Sequence, residues 1–275
     1  MKEIIALQPL VDTIALSLQS AFIDNEANGS NLLIVSQTET AKTSLIFLFK
    51  ELSFVSYYDE ITQKKMIDEF LPLVKVGQKK TLLIPDLLNC VEKQKSTRDQ
   101  FLNTIKSGID DTGIVRISTP HKQLDFYKLI EGLKFNMITA TTCGNFLQIQ
   151  RTIKKSGLLA RFLLFSYTYP PHIIKAIFKI IEGEVTPSEL GLKIPKIKTR
   201  NVKILDNPKL FSEFEFISTQ LGLKYDGYGF RAQTGLQRLA KANAILNNRK
   251  EIINEDINKI ISLSTWLNDS FATMS

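Results

Sequence analysis

Short apolar runs that alternate with helical patterns are the strongest constraint on how this chain can fold. Runs at residues 31–35, 53–58, 81–86, 113–118, 135–141 and 162–167 are each flanked by polar or turn residues. Between them, residues 44–52, 62–72, 96–107 and 122–132 carry apolar side chains at helical spacing. Runs such as TLLIPD are apolar throughout, the pattern of strands buried on both faces. Together with the intervening helices they predict an α/β fold built on a parallel sheet covered on both sides. Residues 1–24 read as a helix ahead of the first strand, ended by the turn cluster DNEANGSN.

After Pro170 and Pro171 the pattern becomes helical only. HIIKAIFKIIEG is followed by PKLFSEFEFISTQLG behind the helix-starting Asp206 and Asn207, then by FRAQTGLQRLAKANAILNN and INEDINKIISLSTWLN. In the third segment Ala232, Leu236, Leu239, Ala240 and Leu246 share a face. In the fourth, Asn254 is positioned to cap a helix whose buried stripe is Ile257, Ile260, Ile261 and Leu267. The expected organisation is an α/β domain over residues 1–169 and a small all-helical domain over 170–275.

With 275 residues, 44% of them hydrophobic, the chain can bury a substantial core. It contains no apolar run near the roughly 18 residues of a membrane span, and its first residues lack a signal-peptide core, so a cytoplasmic location without membrane contact is expected. Cys90 and Cys143 cannot form a disulfide framework, and two cysteines with two histidines, all far apart, do not make a zinc site. The net charge of +7 favours an anionic partner. The densest basic stretch carries Lys193, Lys196, Lys198, Arg200 and Lys203 without an acidic residue, and reads equally as a phosphate-contacting segment or a solvated loop. No G-x-S-x-G occurs, and neither histidine lies in a catalytic context.

Four local patterns carry chemistry. The loop after the first strand runs from Ser36 to Ser44 and matches G-x-x-x-x-G-K-[ST] in Lys42 and Thr43, with Ser36 and Ala41 where glycines are expected. In such a loop the backbone N–H groups curl around phosphate, the lysine neutralises it and the hydroxyl holds magnesium. Taken alone the segment is also an ordinary helix start; its place between a strand and a helix favours the phosphate reading. The strand LLIPD ends in Asp86, placed to bind magnesium, but Leu87 stands where a water-orienting glutamate is usual. The strand MITATT ends in Thr142, and SGLLARF presents Arg161.

In order and spacing these patterns resemble the AAA+ ATPases, most closely the minichromosome-maintenance helicases. That group's loop typically ends T-A-K-S, which resembles Thr40, Ala41, Lys42 and Thr43. GLLARFLLF resembles its leucine-leucine-serine-arginine-phenylalanine segment, and FRAQTGLQRLAKANA resembles its lid helix. The resemblance covers about residues 28–268 and implies a P-loop domain with a helical lid, binding ATP and Mg2+. It gives Arg161 the role of a finger reaching a neighbouring subunit's site, with a structural salt bridge as the alternative. By the same match Arg231 is the second sensor, and Thr142 stands in the place of the first sensor's asparagine. It further implies a homo-oligomer, with a ring as one form, that acts on DNA. The family places a DNA-contacting hairpin where Asp-Asp-Thr-Gly reads as a turn, which makes Lys106, Arg116 and Lys122 candidate phosphate contacts beside Lys193, Lys196 and Lys198. Helicases of this group carry a separate DNA-binding domain that is not apparent here, so action with a partner protein or through a ring pore is expected. Leu87 divides the functional reading between a DNA motor or loader and a nucleotide-sensing or scaffold module without turnover, with Asn89, Asp99 and Asp111 as alternative groups to position water.

Overall fold

The computed structural model describes residues 7–119, 126–169, 171–182, 193–224 and 227–268. In chain order the elements are α1 (Gln8–Ser20), β1 (Asn31–Ser36), α2 (Lys42–Phe47), β2 (Val55–Tyr57), α3 (Gln63–Lys65), a π turn (Met66–Phe70), α4 (Leu71–Lys75), β3 (Thr81–Ile84), α5 (Leu88–Val91) and α6 (Lys95–Gly108). There follow β4 (Val115–Thr119), β5 (Phe126–Ile130), β6 (Asn136–Thr142), α7 (Cys143–Lys155), a 3-10 turn (Leu159–Arg161) and β7 (Phe162–Tyr167). The helical part comprises α8 (Pro171–Ile181), α9 (Pro208–Phe211), α10 (Glu215–Lys224), α11 (Phe230–Leu246) and α12 (Asn254–Asn268).

The main sheet has the order β2-β3-β6-β1-β7 with every pairing parallel. β1 and β7 are buried along their whole length, and the pleat divides their side chains between two cores. Leu32, Ile34, Leu163 and Phe165 join α1, α11 and α12 on one face, whereas Leu33, Val35 and Leu164 join α6 and α7 on the other. A layered α/β arrangement follows, because parallel neighbours require helical crossovers that cover both faces.

Two expectations need correction. The Asp-Asp-Thr-Gly turn is not the tip of a hairpin; it carries the chain from α6 into β4, with Gly113 at φ +63° and its carbonyl accepting from Leu133 N. A hairpin does form, between β4 and β5, as a separate two-stranded antiparallel sheet. Residues 126–130 are therefore strand, not part of a helix over 122–132. The short spacing of apolar residues there fits either period, and pairing with β4 decides it. Lys122 lies outside the described residues.

The basic stretch from Lys193 to Leu205 runs extended along α1. The Gln8 side-chain amide exchanges two hydrogen bonds with the Lys193 backbone, at 2.8 and 2.9 Å, and the Gln19 amide does the same with Lys198, at 3.1 and 2.7 Å. Single bridges join Ile23 to Val202 and Leu205 to Glu251. Side-chain amides on α1 thus satisfy the backbone of a segment with no sheet partner.

α11 enters close to the sheet. A Cβ on Gly235 would meet Leu163 at 3.1 Å, and the Gly235 carbonyl accepts from Ser30 Oγ at 2.9 Å. The helix starts at Gly229, whose φ of +84° is left-handed and where a Cβ would lie 2.0 Å from the Ser218 carbonyl oxygen. Both facts demand glycine. Gly229→Ala is expected to destabilise the helical part by more than about 2 kcal/mol, because left-handed strain alone costs alanine 1–2 kcal/mol; chemical denaturation followed by circular dichroism measures it, and an unchanged midpoint would contradict the packing described.

Candidate functional site

The loop that follows β1 opens at the carboxyl end of the sheet, where the connections from β1 and its neighbours diverge and where parallel sheets hold their ligands. It forms a groove of about 330 Å3 with Pro85, Asp86, Thr141 and Thr142 as the opposite wall. Glu39 and Ala41 take left-handed backbone angles, φ +61° and +60°. Alternation of such angles turns successive N–H groups toward a common concavity, the geometry of an anion nest. Side chains with a Cβ hold it at some cost in strain.

Lys42 opens α2 and is 8% exposed. Its ammonium donates to Ser36 O at 3.1 Å, to Thr40 Oγ1 at 3.2 Å and to Gln37 O. Burial lowers its pKa, partly offset by the nearby Cys143 and Asp86. Thr40 Oγ1 also meets Ser36 Oγ at 2.5 Å and donates to Gln37 O at 2.8 Å. Side chains therefore close the loop internally. Thr43 is exposed along the same groove.

Asp86 follows β3 and accepts from Leu88 N at 3.0 Å, while Asn145 Nδ2 lies 3.5 Å from its other oxygen. Leu87 is fully buried in the core. Thr142 spends its hydroxyl capping α7, accepting from Asn145 N at 3.2 Å. The polar group that reaches Asp86 from this strand end is thus Asn145, three residues on. Its signal in the sequence is the cap spacing Thr-x-x-Asn. The carboxylates lining the groove are Glu39 and Asp86. Asp99 pairs instead with Arg98 at 3.2 Å, Asp111 with Arg238 at 2.7 Å, and Asn89 lies exposed on α5.

Lys42, Thr43, Asp86 and the nest fit a phosphate chain with a divalent cation, and the groove volume falls within the range of small-molecule sites. Glu39 opposes this fit, since it adds a negative charge to the wall that would face phosphate. Missing from the sequence reading were Glu39, Asn145 and the two tyrosines behind the loop. Tyr167 and Tyr169 both donate from their hydroxyls to Thr40 O, the latter at 3.0 Å. Burial raises both phenol pKa values, which keeps these donors protonated.

Arg161 lies at the other end of the sheet. It precedes Phe162, which pairs with Asn31 at the first residue of β1, about 17 Å from Ser36 at 3.3 Å per residue. Its side chain is 10% exposed, with Nη2 2.9 Å from Asp110 Oδ2 and Nη1 donating to Gly157 O at 2.6 Å. Arg231, half exposed in the first turn of α11, lies 3.7 Å from the second Asp110 oxygen. Behind them Arg238 bridges Glu26 and Asp111, and Lys241 bridges Glu26 and Asp206. Both sequence-selected arginines thus converge on one carboxylate that joins the sheet domain to α11. Burial would raise the Asp110 carboxyl, but the Arg161 hydrogen bond and charge, then Arg231, outweigh it and hold it below the ordinary 3.8.

The remaining basic candidates separate. Arg116 is exposed on β4 between buried Val115 and Ile117, paired with exposed Leu129. Lys106 is half-buried on α6. Lys193 and Lys196 are exposed on the extended segment, but Lys198 spends its ammonium on Ile245 O and on Asn248 Oδ1 at 2.6 Å, at the carboxyl end of α11.

Against this geometry, residues 218–264 match the family model of an AAA lid domain. No curated protein matches the chain. The parallel sheet and the matched helices together are the AAA+ arrangement, an α/β P-loop domain with a helical lid. That class implies nucleotide binding, typically with Mg2+, and its members often oligomerise. Among the described residues no helix is long and apolar enough to cross a membrane.

A carboxylate depressed in the folded state stabilises the fold fully above its ordinary pKa and loses that contribution as pH falls through the folded value. Asp110→Asn is therefore expected to cost about 3 kcal/mol at neutral pH, because it leaves Arg161 charged without its partner. The difference from wild type should shrink as the pH drops below about 4. Urea unfolding at pH 7 and at pH 3 gives the comparison, and an equal difference at both would contradict the pairing.

Proposed function

We propose that this chain is a nucleotide-binding AAA+ subunit that takes up ATP with Mg2+ at Lys42, Thr43 and Asp86 and converts occupancy into assembly, with little or no hydrolysis. One observation carries the reading. The buried Lys42 faces Asp86 across a groove walled by left-handed loop backbone, while the position beside Asp86 is a fully buried leucine. Binding chemistry is in place, and the carboxylate that would orient water is not. Arg161 is too far from the loop of its own chain to touch a phosphate bound there, since an arginine side chain spans well under the length of β1. Any contact of Arg161 with phosphate would therefore be in trans, on a neighbour's nucleotide, and would require its release from Asp110; retention of that ion pair in an assembled form would leave Arg161 the structural salt bridge that is the alternative. Residues 1–169 would form the binding domain and 170–275 the lid.

The test is titration calorimetry with ATP and ADP in the presence of Mg2+, with light scattering to follow assembly. Wild type should bind, Lys42→Ala should lose at least tenfold in affinity, and Arg161→Lys should bind as a dilute monomer yet assemble poorly. Absence of heat for wild type at high protein concentration sinks the proposal.

DNA is the proposed partner of the assembled form, supported by Arg116 on the outward face of the hairpin and by exposed Lys193 and Lys196 in a chain of net charge +7. Such contacts displace counterions and do not read bases. Binding should be sequence-tolerant and fall steeply between 50 and roughly 200 mM salt. Fluorescence anisotropy that shows no salt dependence, or no loss on neutralising Arg116 with Lys193 and Lys196, argues for a protein partner in its place.

A further inference from the structure

The loop lacks the glycines that usually let backbone wrap phosphate, yet its left-handed positions are occupied by Glu39 and Ala41. Something must hold that geometry. Ser36, the last residue of β1, pairs in register with Tyr167, the last residue of β7, so the end of β7 runs beside the start of the loop. Tyr167 is 4% exposed, and its ring contacts those of Phe165 and Tyr169 at centroid distances of 6.3 and 5.9 Å. Both phenol hydroxyls donate to one acceptor, the Thr40 carbonyl. A carbonyl oxygen has two lone pairs, so this acceptor is saturated.

We infer that Tyr167 and Tyr169 are positioning residues for the phosphate loop, holding the Thr40–Ala41 peptide so that the Ala41 N–H faces the groove. A trans peptide is planar with C=O and N–H on opposite sides. Neither tyrosine lines the groove, whereas Thr40 and Ala41 do. A carbonyl drawn back toward the tyrosines therefore turns the N–H of the same plane toward the space a phosphate would occupy. The Ser36 to Thr40 hydroxyl contact anchors the preceding residue in the same sense. In this loop two hydroxyls behind the backbone supply the order that must accompany the missing glycines. The identity of the anion rests on the nucleotide reading above; the positioning itself does not.

The experiment uses the full chain as wild type, Tyr167→Phe, Tyr169→Phe and the double variant, which keep the aromatic rings and remove only the hydroxyls. Three quantities are read: the carbonyl 13C shift of Thr40, amide exchange of the loop without ligand, and affinity for Mg2+–ADP and for inorganic pyrophosphate. The expected result is an upfield Thr40 carbonyl shift in each variant and loop exchange at least tenfold faster in the double variant. Affinity should fall a few-fold in each single variant and more than tenfold in the double, with the exchange of β1 and β6 unchanged. A purely packing role would leave the Thr40 shift and the loop exchange at wild-type values, and that result overturns the inference. Faster loop exchange with undiminished affinity also overturns it, because the N–H would then not serve the ligand. If wild type binds neither ligand while the Thr40 shift and exchange change as expected, the positioning stands and the nucleotide reading falls. Should the double variant fail to fold, Tyr169→Phe, at the half-buried position, decides on the same criteria.

Discussion

The molecule is organised about β1, hydrogen-bonded to β6 on one side and β7 on the other and covered on both faces. The phosphate loop lies at its carboxyl end and the Arg161–Asp110 pair at its amino end. The carboxyl end launches the loop and sets Ser36 beside Thr142 and Tyr167. At the amino end the Asn31 side chain receives Met137 N at 2.9 Å and donates to Arg161 O at 3.1 Å, tying β6 and the turn before β7 to the same residue. A slip of one residue would exchange the two cores and separate these pairs.

Two solutions to buried charge stand at those ends. The loop keeps a single cation, Lys42, and satisfies it with backbone and hydroxyl oxygens, so a phosphate that enters competes with neutral acceptors and not with a carboxylate in direct contact. The amino end pairs Arg161, Arg231, Arg238 and Lys241 with Asp110, Asp111, Glu26 and Asp206. Removing one member of such a set costs more than the set contributes as a whole, because the partner is left buried and charged. The cluster also joins α11 to the turn after α6, so any change at Arg231 or Asp110 is felt by the lid.

Much of the fold was legible because burial on both faces leaves a plain signature. Residues 31–35, 81–86, 135–141 and 162–167 stand out as apolar runs and all became sheet strands within a residue or two. The helical stripes of Leu236 and Leu239, and of Ile257 and Ile260, pack as their spacing implied. The run at 113–118 became β4, but residues 126–130 were misassigned to a helix, because the apolar residues of a short strand outside the main sheet fit either period and only pairing with β4 decides between them. Within the candidate site, Lys42, Thr43 and Asp86 were legible because phosphate chemistry demands those types at those places. Tyr167, Tyr169 and Asn145 were not, because their part depends on which backbone atom each one meets.

By itself the sequence determined the strands of the main sheet and most of the helices between them, the four helical segments after Pro171, the loop with its lysine and hydroxyl, and the leucine at position 87 beside Asp86. These depend on residue type and local spacing, which the chain carries along its own length. Tertiary structure alone decided that Arg161 and Arg231 share Asp110, that Lys198 is consumed at the end of α11, and that the hydroxyls of Tyr167, at the end of β7, and Tyr169, just beyond it, meet the Thr40 carbonyl. Each of these is a contact between groups tens to more than a hundred residues apart, and only the register of the parallel sheet and the docking of α11 bring them within a hydrogen bond or an ion pair of one another.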